Sequence, residues 1–316
     1  MSGTGWGALT RLQEKERAYR ADPLTRSAMA VADGCGGDLA ARLWDLALVV
    51  VKPEALVSGR LAAVRRFLAA HGLSAVSSFD TELDAARSHA LWSYPWVKAT
   101  SDRVRLHVLM SEREPSRCLL VRREVPGGDV PLTMWVAERK GSSNAGLRRA
   151  GQLRTELGMA NRMIAFVHCP DEPADLLRDV YVLGGAPAVE LLLALPATGG
   201  GTGPWSSAAP SDPVSLDLST LLDGLTPRGR ERMRSRLAAR REHGEVVGLD
   251  EALREVREWG ARDRWTECAL AAELIPHDLP GVTTAFDRLS VDRLADLWRA
   301  SPGVPVDAVR DAGRVS

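Results

Sequence analysis

The stretch of sequence that decides the fold is GSSNAGLRRAGQLRTELGMANRMIAFVHCPDEPADLLRD, residues 141–179. Within it, residues 162–167 form an apolar run that is typical of a buried strand, and His168 follows the run directly. Residues 171–173, DEP, then mark the start of a helix. An imidazole at a strand end beside a helix N-terminus lies where anions bind readily, so the stretch predicts an anion site at His168.

A loop that is rich in glycine, hydroxyl and guanidinium groups precedes this strand. Residues 141–144, GSSN, give a flexible backbone and two hydroxyl groups, and Arg148, Arg149 and Arg154 follow. Guanidinium groups match phosphate oxygens with two parallel hydrogen bonds. The loop therefore predicts that the anion is a polyphosphate.

Outward from this stretch, a second apolar run ends at a lysine. Residues 46–51, LALVVV, predict a fully buried strand, because branched side chains fill it without alternation. Lys52 ends that strand. Only four of the 41 basic residues are lysines, at positions 15, 52, 98 and 140, so arginine is the usual positive charge of this chain. Lys52 is therefore a candidate for a specific role against phosphates.

The remaining apolar patterns extend the predicted fold in both directions. They favour strands at 73–79 and 118–122, and helices at 60–71, 81–92, 130–138 and 173–183. Together with the two runs already described, the order is strand, helix, strand, helix, strand, loop, strand, helix. This is the order expected of a ferredoxin-like α+β sandwich.

Composition divides the chain into four predicted parts. Residues 1–45 form a helical N-terminal extension, and residues 46–197 form the α+β domain. Residues 198–213, TGGGTGPWSSAAPSDP, read as a glycine, serine and proline linker with few contacts across it. Residues 214–316 form a helical C-terminal domain, in which we expect helices over 226–244, 250–259 and 290–300.

Four stretches, in order and at nearly the right separations, resemble the nucleoside diphosphate kinase family over about residues 46–184. Residues 51–55, VKPEA, are similar to its strand-end lysine-proline motif, and residues 141–154 are similar to its phosphate-binding loop, which ends on Arg154. His168 stands where the family has its phosphorylated histidine. Asp179, eleven residues on, stands where the family has the glutamate that steadies that histidine.

The resemblance implies a fold, an activity and a set of roles. The fold would be a ferredoxin-like sandwich with an antiparallel four-stranded sheet. His168 would take a phosphoryl group from ATP or another nucleoside triphosphate, Asp179 would orient its ring, and Lys52 would face the phosphates. Mg²⁺ would be bound by the nucleotide phosphates without a direct protein ligand. The chain would form a homo-oligomer.

The resemblance also implies a nucleotide-binding set with several departures. Trp92 is the aromatic near the substrate, Ser143 replaces a threonine, and Arg154 clamps a phosphate oxygen. The first phosphate arginine of the family falls at Ala137, with Arg139 close by. The asparagine that meets the sugar falls at Ala165, with Asn161 as its candidate substitute, and Pro170 removes a hydroxyl and a donor beside the histidine.

These departures leave three functional interpretations open. The first is a phosphohistidine-forming phosphotransferase whose acceptor is altered. The second is a degenerate kinase fold that serves as a nucleotide-binding regulatory or interaction module. The third is a biosynthetic enzyme that uses the fold for other nucleotide chemistry. Each candidate residue also has a purely structural interpretation. His168 could be a core histidine with satisfied hydrogen bonds, and Lys52 and Arg154 could form surface salt bridges. Trp92 and Trp96 could pack in the core rather than stack on a base.

Composition excludes several other classes of function. The 41 basic and 41 acidic residues balance, so no global field points to nucleic acid or to an anionic membrane. The four cysteines lie far apart without a CxxC pair, so the sequence indicates neither a zinc site nor a disulfide framework. No apolar run is long enough for a signal peptide or a membrane span. We therefore expect a cytoplasmic protein. The arginine-rich residues 228–241 could bind nucleic acid, but pairing with the acidic residues 250–258 is favoured.

Overall fold

A computed structural model describes residues 5–112, 114–159, 161–196, 212–284, 286 and 289–300. A four-stranded antiparallel sheet lies at its centre, in the order β2-β3-β1-β4. The strands are β1 (Leu46–Val51), β2 (Leu73–Thr81), β3 (Ser116–Arg123) and β4 (Val167–His168). The fold is therefore mixed α+β, as the sequence predicts.

Fifteen α-helices surround the sheet in the described residues. In chain order they are α1 (Gln13–Ala21), α2 (Pro23–Cys35), α3 (Leu39–Trp44), α4 (Pro53–Val57), α5 (Leu61–Ala70), α6 (Ala85–Trp92), α7 (Ser101–Ser111), α8 (Leu132–Lys140), α9 (Leu153–Glu156), α10 (Pro173–Ala194), α11 (Leu218–Asp223), α12 (Pro227–His243), α13 (Leu249–Glu258), α14 (Arg264–Ala272) and α15 (Val291–Ala300). Helix α10 is interrupted at Gly185, whose φ of 68° and ψ of −162° are not helical.

The two faces of β1 pack against different helices. Successive side chains of a strand point to opposite faces, so alternate residues of this fully buried strand enter different cores. Leu46, Leu48 and Val50 share one apolar cluster with α2, α3 and α10. Ala47, Val49 and Val51 share the other cluster with α5, α7 and the helices that follow residue 212. Helices on both faces explain why β1 is apolar at every position.

The predicted strand at 162–167 is wrong in its bounds. Only Val167 and His168 pair with β1, opposite Val51 and Val50. Asn161 Oδ1 accepts hydrogen bonds from the backbone N–H groups of Met163 and Ile164, which holds the start of the run in a turn. Phe166 then has a φ of 59°, in the left-handed region, so the run is buried but cannot continue a ladder.

Six helices lie outside the predicted pattern. They are α2, α4, α7, α9, α11 and α14. Helix α2 carries a start signal, because Asp22 accepts from the Thr25 N–H and Pro23 occupies the first helical position. Helix α10 also runs eleven residues beyond the predicted end at residue 183.

The helices after residue 212 pack on the α+β core. Val214 N donates to Val57 O at 3.0 Å, and Arg60 pairs with Asp217 at 3.2 Å. The apolar residues of α11 to α14 belong to the same cluster as the odd positions of β1. The expected lack of contacts across the linker is therefore wrong for the described residues. Residues 198–211 of the predicted linker lie outside the described residues, and the division into domains stays a prediction.

The arginine-rich helix α12 packs beside the acidic helix α13. Arg236 Nη2 lies 2.5 Å from Glu255 and 3.5 Å from Glu251, as the favoured interpretation expects. Across the part of the chain that the structure describes, no helix is both long enough and apolar enough to cross a bilayer.

Candidate functional site

The imidazole of His168 is held by a buried carboxylate. Its Nε2 lies 2.8 Å from Asp179 Oδ2, so an Nε2–H donates to that carboxylate. Asp179 lies on α10 and is 4% exposed, and its burial raises the pKa of the carboxyl group. Arg178 Nη1 lies 3.7 Å from the other oxygen, Oδ1. The contact fixes the ring and leaves Nδ1 as the nitrogen that Asp179 does not bind.

A tryptophan contacts that second nitrogen. Trp92 Nε1 donates to His168 Nδ1 at 3.4 Å, with the two rings nearly perpendicular at 87°. Since an indole nitrogen can only donate, Nδ1 must present its lone pair. The two contacts together select the neutral tautomer that carries its proton on Nε2.

Trp92 belongs to an aromatic group beside the histidine. Trp96 lies against it at 5.4 Å between ring centroids and an interplanar angle of 31°, and His107 meets its ring edge-on at 4.6 Å. Burial and the nearby charges of Lys52 and Arg103 hold the pKa of His107 well below its ordinary value, so this ring stays neutral. Both tryptophans are half-buried rather than core residues.

His168 opens into a cavity of about 700 Å³. Eight basic and five acidic residues line it, together with Trp92, Trp96 and the loop at 141–144. All four lysines of the chain are among the lining residues, although lysines are only four of its 41 basic residues. The lysines are thus concentrated at this cavity, whereas most of the arginines lie elsewhere in the chain.

Lys52 lies in the wall of this cavity and is 5% exposed. Its Nζ lies 2.7 Å from Glu54 Oε1, and the same carboxylate oxygen accepts from the backbone N–H of Phe166 at 3.2 Å. Among the described residues, the buried Oε2 of Glu54 has no hydrogen-bond partner. Lys52 is therefore held at the strand end by a buried counterion.

Lys140 provides a second cation close to the histidine. Its Nζ donates to Cys169 O at 2.9 Å and lies 3.0 Å from Asp171 Oδ1. Burial raises the pKa of the Cys169 thiol to about 11, so this neighbour is a neutral thiol at physiological pH. The nucleophile that remains beside Lys140 is the imidazole.

Arg154 uses two of its five N–H donors within the structure. Its two terminal nitrogens donate to Gly141 O and Val167 O, both at 3.0 Å. The side chain is buried, which lowers the pKa of its guanidinium, and its Nε has no partner within the described residues. In this structure Arg154 joins the loop at 141 to β4, which differs from the phosphate clamp that the resemblance implies.

The structure brings most of the predicted site residues together. His168, Asp179, Lys52, Trp92, Ser143 and Arg154 all line the cavity, as do the departures Ala137, Ala165 and Pro170. Two residues are not brought there. The Arg139 guanidinium lies 4.9 Å over the Trp135 ring, and Asn161 is engaged with Glu273 and with its own turn.

Residues outside the predicted α+β domain complete the cavity. Lys15 and Tyr19 enter from α1, and Thr284, Phe286 and residues 289–292 enter from the C-terminal region. Lys15 Nζ lies 2.7 Å from Glu172 and 2.6 Å from Asp175, at the start of α10. Although burial opposes its charge, the two carboxylates raise the pKa of Lys15 above its ordinary value. The rarity of lysine was the one sequence signal that could have identified this residue.

No site for a directly bound metal ion is formed by the described residues. They contain no group of three or more histidine, cysteine, aspartate or glutamate side chains arranged around one point. The carboxylates nearest to the histidine are each engaged: Asp171 with Lys140, Asp175 with Lys15 and Asp179 with His168.

No protein-family model matches the sequence, and no curated protein matches it. Solved structures of nucleoside diphosphate kinases are among those similar to part of the chain. Nucleoside diphosphate kinase from Encephalitozoon cuniculi, in an apo cubic form, has a TM-score of 0.37 and 14% identity over 45% of this chain and 89% of that one. The Borrelia burgdorferi enzyme, solved as a transition-state mimic with vanadate and ADP, has a TM-score of 0.35 and 17% identity over 44% of this chain and 86% of that one.

The third structure is an NDP kinase from Pyrobaculum aerophilum, with a TM-score of 0.32 and 15% identity over 44% of this chain and 94% of that one. These values show a distant structural resemblance over less than half of the chain. They carry no argument about activity, so the function must be argued from the site itself.

Proposed function

We propose that this chain is a nucleoside-triphosphate-dependent phosphotransferase that carries the phosphoryl group on Nδ1 of His168. One observation carries the proposal. The ring lines a cavity that gathers all four lysines, and a buried carboxylate binds its Nε2, which leaves the lone pair on Nδ1. A neutral imidazole in one fixed tautomer is the form that attacks phosphorus.

In the first half of the reaction, the lone pair of Nδ1 forms a bond to the γ-phosphorus. The bond from that phosphorus to the bridging oxygen breaks, and the nucleoside diphosphate leaves with the electron pair. Asp179 accepts from Nε2–H throughout and stabilises the positive charge that the ring acquires. In the second half, an oxygen of the acceptor attacks the phosphorus and the electron pair returns to Nδ1.

Lys52 and Lys140 supply positive charge in the cavity that His168 lines. Charge spreads over the phosphoryl oxygens in the loose transition state, and fixed cations in a cavity stabilise it more strongly than water does. Ser143 adds a hydroxyl donor, and Trp96 adds an aromatic wall for a base. Mg²⁺ bound to the nucleotide would neutralise part of the phosphate charge, held by phosphate oxygens, because the nearby carboxylates are already engaged.

We propose further that the fold is a ferredoxin-like sandwich. The sheet order β2-β3-β1-β4, with every neighbouring pair antiparallel, supports a ferredoxin-like sandwich. A helical crossover through α6 and α7 stands where that fold has its central hairpin. A cytoplasmic homo-oligomer completes the proposal.

A second candidate function has its own support. Lys52 is neutralised by Glu54, and both terminal nitrogens of Arg154 are bound to backbone carbonyls. A site whose cations are engaged internally suits a module that binds a nucleotide without transferring its phosphate. Such a module would bind ATP and acquire no label.

Incubation with γ-³²P-labelled ATP and Mg²⁺ separates the two candidates. We expect the wild-type protein to acquire acid-labile, alkali-stable label, and we expect none on a folded His168→Ala variant. His71→Ala is the matched control, because His71 is exposed and packs on Phe67 and Trp135 away from the cavity. Wild-type protein that binds ATP and stays unlabelled, while a true kinase is labelled beside it, favours the binding module.

A further inference from the structure

Trp92 is hydrogen-bonded to the atom that the proposed reaction needs, Nδ1 of His168. Its indole N–H donates to Nδ1 of His168, and Nδ1 is the nitrogen that remains once Asp179 has bound Nε2. One lone pair cannot accept a hydrogen bond and form a bond to phosphorus at the same time. The indole must therefore leave Nδ1 before any phosphoryl group arrives.

We infer that Trp92 is a positioning residue, a cap that keeps Nδ1 unprotonated and covered until the nucleotide displaces it. This inference rests on the proposed function, since it concerns the same nitrogen. While the cap is in place, the indole holds the tautomer that has its proton on Nε2. When the phosphates enter, the N–H moves from the nitrogen to a phosphoryl oxygen, and the indole keeps its own proton.

The backbone that carries the cap is firmly held. Trp92 is the last residue of α6, and the buried Arg178 donates to Ala90 O at 2.7 Å and to Ser93 Oγ at 3.2 Å on either side of it. Arg178 also pairs with Asp22 at 2.8 Å and adjoins Asp179 in the sequence. The same residue thus sets the distance between the end of α6 and the carboxylate that orients His168.

The side chain of the cap is held more weakly than its backbone. It packs against the apolar cluster shared by α2, α3 and α10, and it contacts the rings of Trp96 and His107, with Lys52 Nζ at 5.9 Å from its ring centroid. Ring contacts of this kind permit sliding, because they do not fix one direction as hydrogen bonds do. At 3.4 Å, the bond to Nδ1 is also longer than the usual hydrogen bond from an N–H group, and therefore weak. Displacement of the indole therefore leaves the helix unchanged.

The test replaces the indole by a ring without a donor. Trp92→Phe keeps an aromatic side chain and removes the N–H, and Trp135→Phe is the control, because Trp135 lies outside the cavity beside Arg139. Two quantities are measured: the rate of labelling by γ-³²P-labelled ATP below saturation, and the ¹⁵N NMR signals of the His168 ring without nucleotide.

We expect Trp92→Phe to be labelled about two- to tenfold faster than the wild type, which is the factor for losing one hydrogen bond of about 0.5 to 1.5 kcal/mol. We also expect the Nδ1 signal to shift while Nε2 remains protonated, with no change in Trp135→Phe. Labelling of Trp92→Phe at or below the wild-type rate, or an unchanged Nδ1 signal, overturns the cap. If no protein is labelled, the proposed function fails, and the Nδ1 signal still decides whether Trp92 caps the ring.

Discussion

His168 has a different partner on each ring nitrogen, and both partners favour the same tautomer of the ring. The carboxylate of Asp179 requires a proton on Nε2, and the indole of Trp92 requires a lone pair on Nδ1. Each contact alone would select the same tautomer. The ring is therefore prepared as a base or nucleophile at Nδ1 and is not free to exchange the roles of its nitrogens.

Replacing the carboxylate tests this preparation. We expect Asp179→Asn to lower the labelling rate by about 10² to 10⁴, because an amide nitrogen can donate to Nε2 and turn the ring to the wrong tautomer. The measurement is single-turnover labelling, with the melting temperature as the control for folding. A variant that is folded and labelled at the wild-type rate would show that Asp179 does not orient the reacting ring.

The family resemblance selected His168 and Asp179, and the position of Lys52 at the end of an apolar run selected that lysine. The structure places all three around one cavity. The partners of Arg154 could not be predicted, because Gly141 O and Val167 O approach it only through the tertiary fold. The turn contacts of Asn161, which is the candidate substitute for the sugar ligand, could not be predicted either, because they depend on the path of the chain before β4.

Among the elements, α12 begins against the end of α13 with almost no space between them. A Cβ atom added to Gly229 would lie 2.2 Å from Trp259 O, which real contacts do not allow. Thr226 caps the helix here by accepting from Gly229 N at 3.0 Å, and its hydroxyl donates to Trp259 O at 3.1 Å. The absence of a side chain at Gly229 is what permits this close packing.

We therefore expect Gly229→Ala to destabilise the protein by about 1 to 3 kcal/mol, the usual range for overpacking. Gly34→Ala is the matched control, because Gly34 lies in α2 with nothing within 4 Å of its added Cβ. Alanine is the better helix former, so the control should be neutral or slightly stabilising. Thermal unfolding measures both, and equal melting temperatures would mean that α12 and α13 do not meet as closely as described.

Elements differ in how far local sequence determines them. The bounds of β1 were predicted without error, because an unbroken run of six apolar residues has few alternatives in a sheet that is covered on both faces. The run at 162–167, RMIAFV, is also apolar after Arg162 but does not have the same structure. There a side-chain turn at Asn161 and the conformation of Phe166 override the β propensity of the run, and apolar composition predicts only its burial.

At the scale of the whole molecule, both ends of the chain contribute to the cavity and to the core. Residues of α1 and of the C-terminal region line the cavity around His168, and α11 to α14 cover one face of the sheet. The four lysines are far apart in sequence and meet only in the folded chain. Such a convergence cannot be predicted from separations along the chain.

Dividing the chain at the linker tests this assembly. We expect residues 1–197 and 212–316, expressed together as two chains, to copurify and to melt as one unit, because each buries an apolar surface of the other. Residues 1–197 alone should be poorly soluble, with one face of the sheet exposed. A soluble first fragment that melts cooperatively by itself would show that the helices after residue 212 are a separate domain.

Stability should also depend on pH through the buried His107 and the half-buried His277. Burial lowers the pKa of His277 to about 4 and holds that of His107 well below 6.5. The unfolded chain takes up protons below pH 6.5 while the folded chain does not, so stability is full above that pH and falls as the pH drops towards 4. We expect the loss of melting temperature between pH 7.5 and pH 5 to be smaller in His277→Gln than in the wild type. His71→Gln, at an exposed position, should match the wild type, and equal losses in all three proteins would contradict this account.

The most direct measurement for the central claim is to locate the phosphate. Protein labelled with γ-³²P-labelled ATP and Mg²⁺ is digested at alkaline pH, and the labelled peptide is identified by mass spectrometry under conditions that preserve phosphohistidine. The account predicts a single labelled peptide that contains His168, with the phosphoryl group on that residue. Label on Ser143 or on any other residue, or no label on protein that binds ATP, would contradict it.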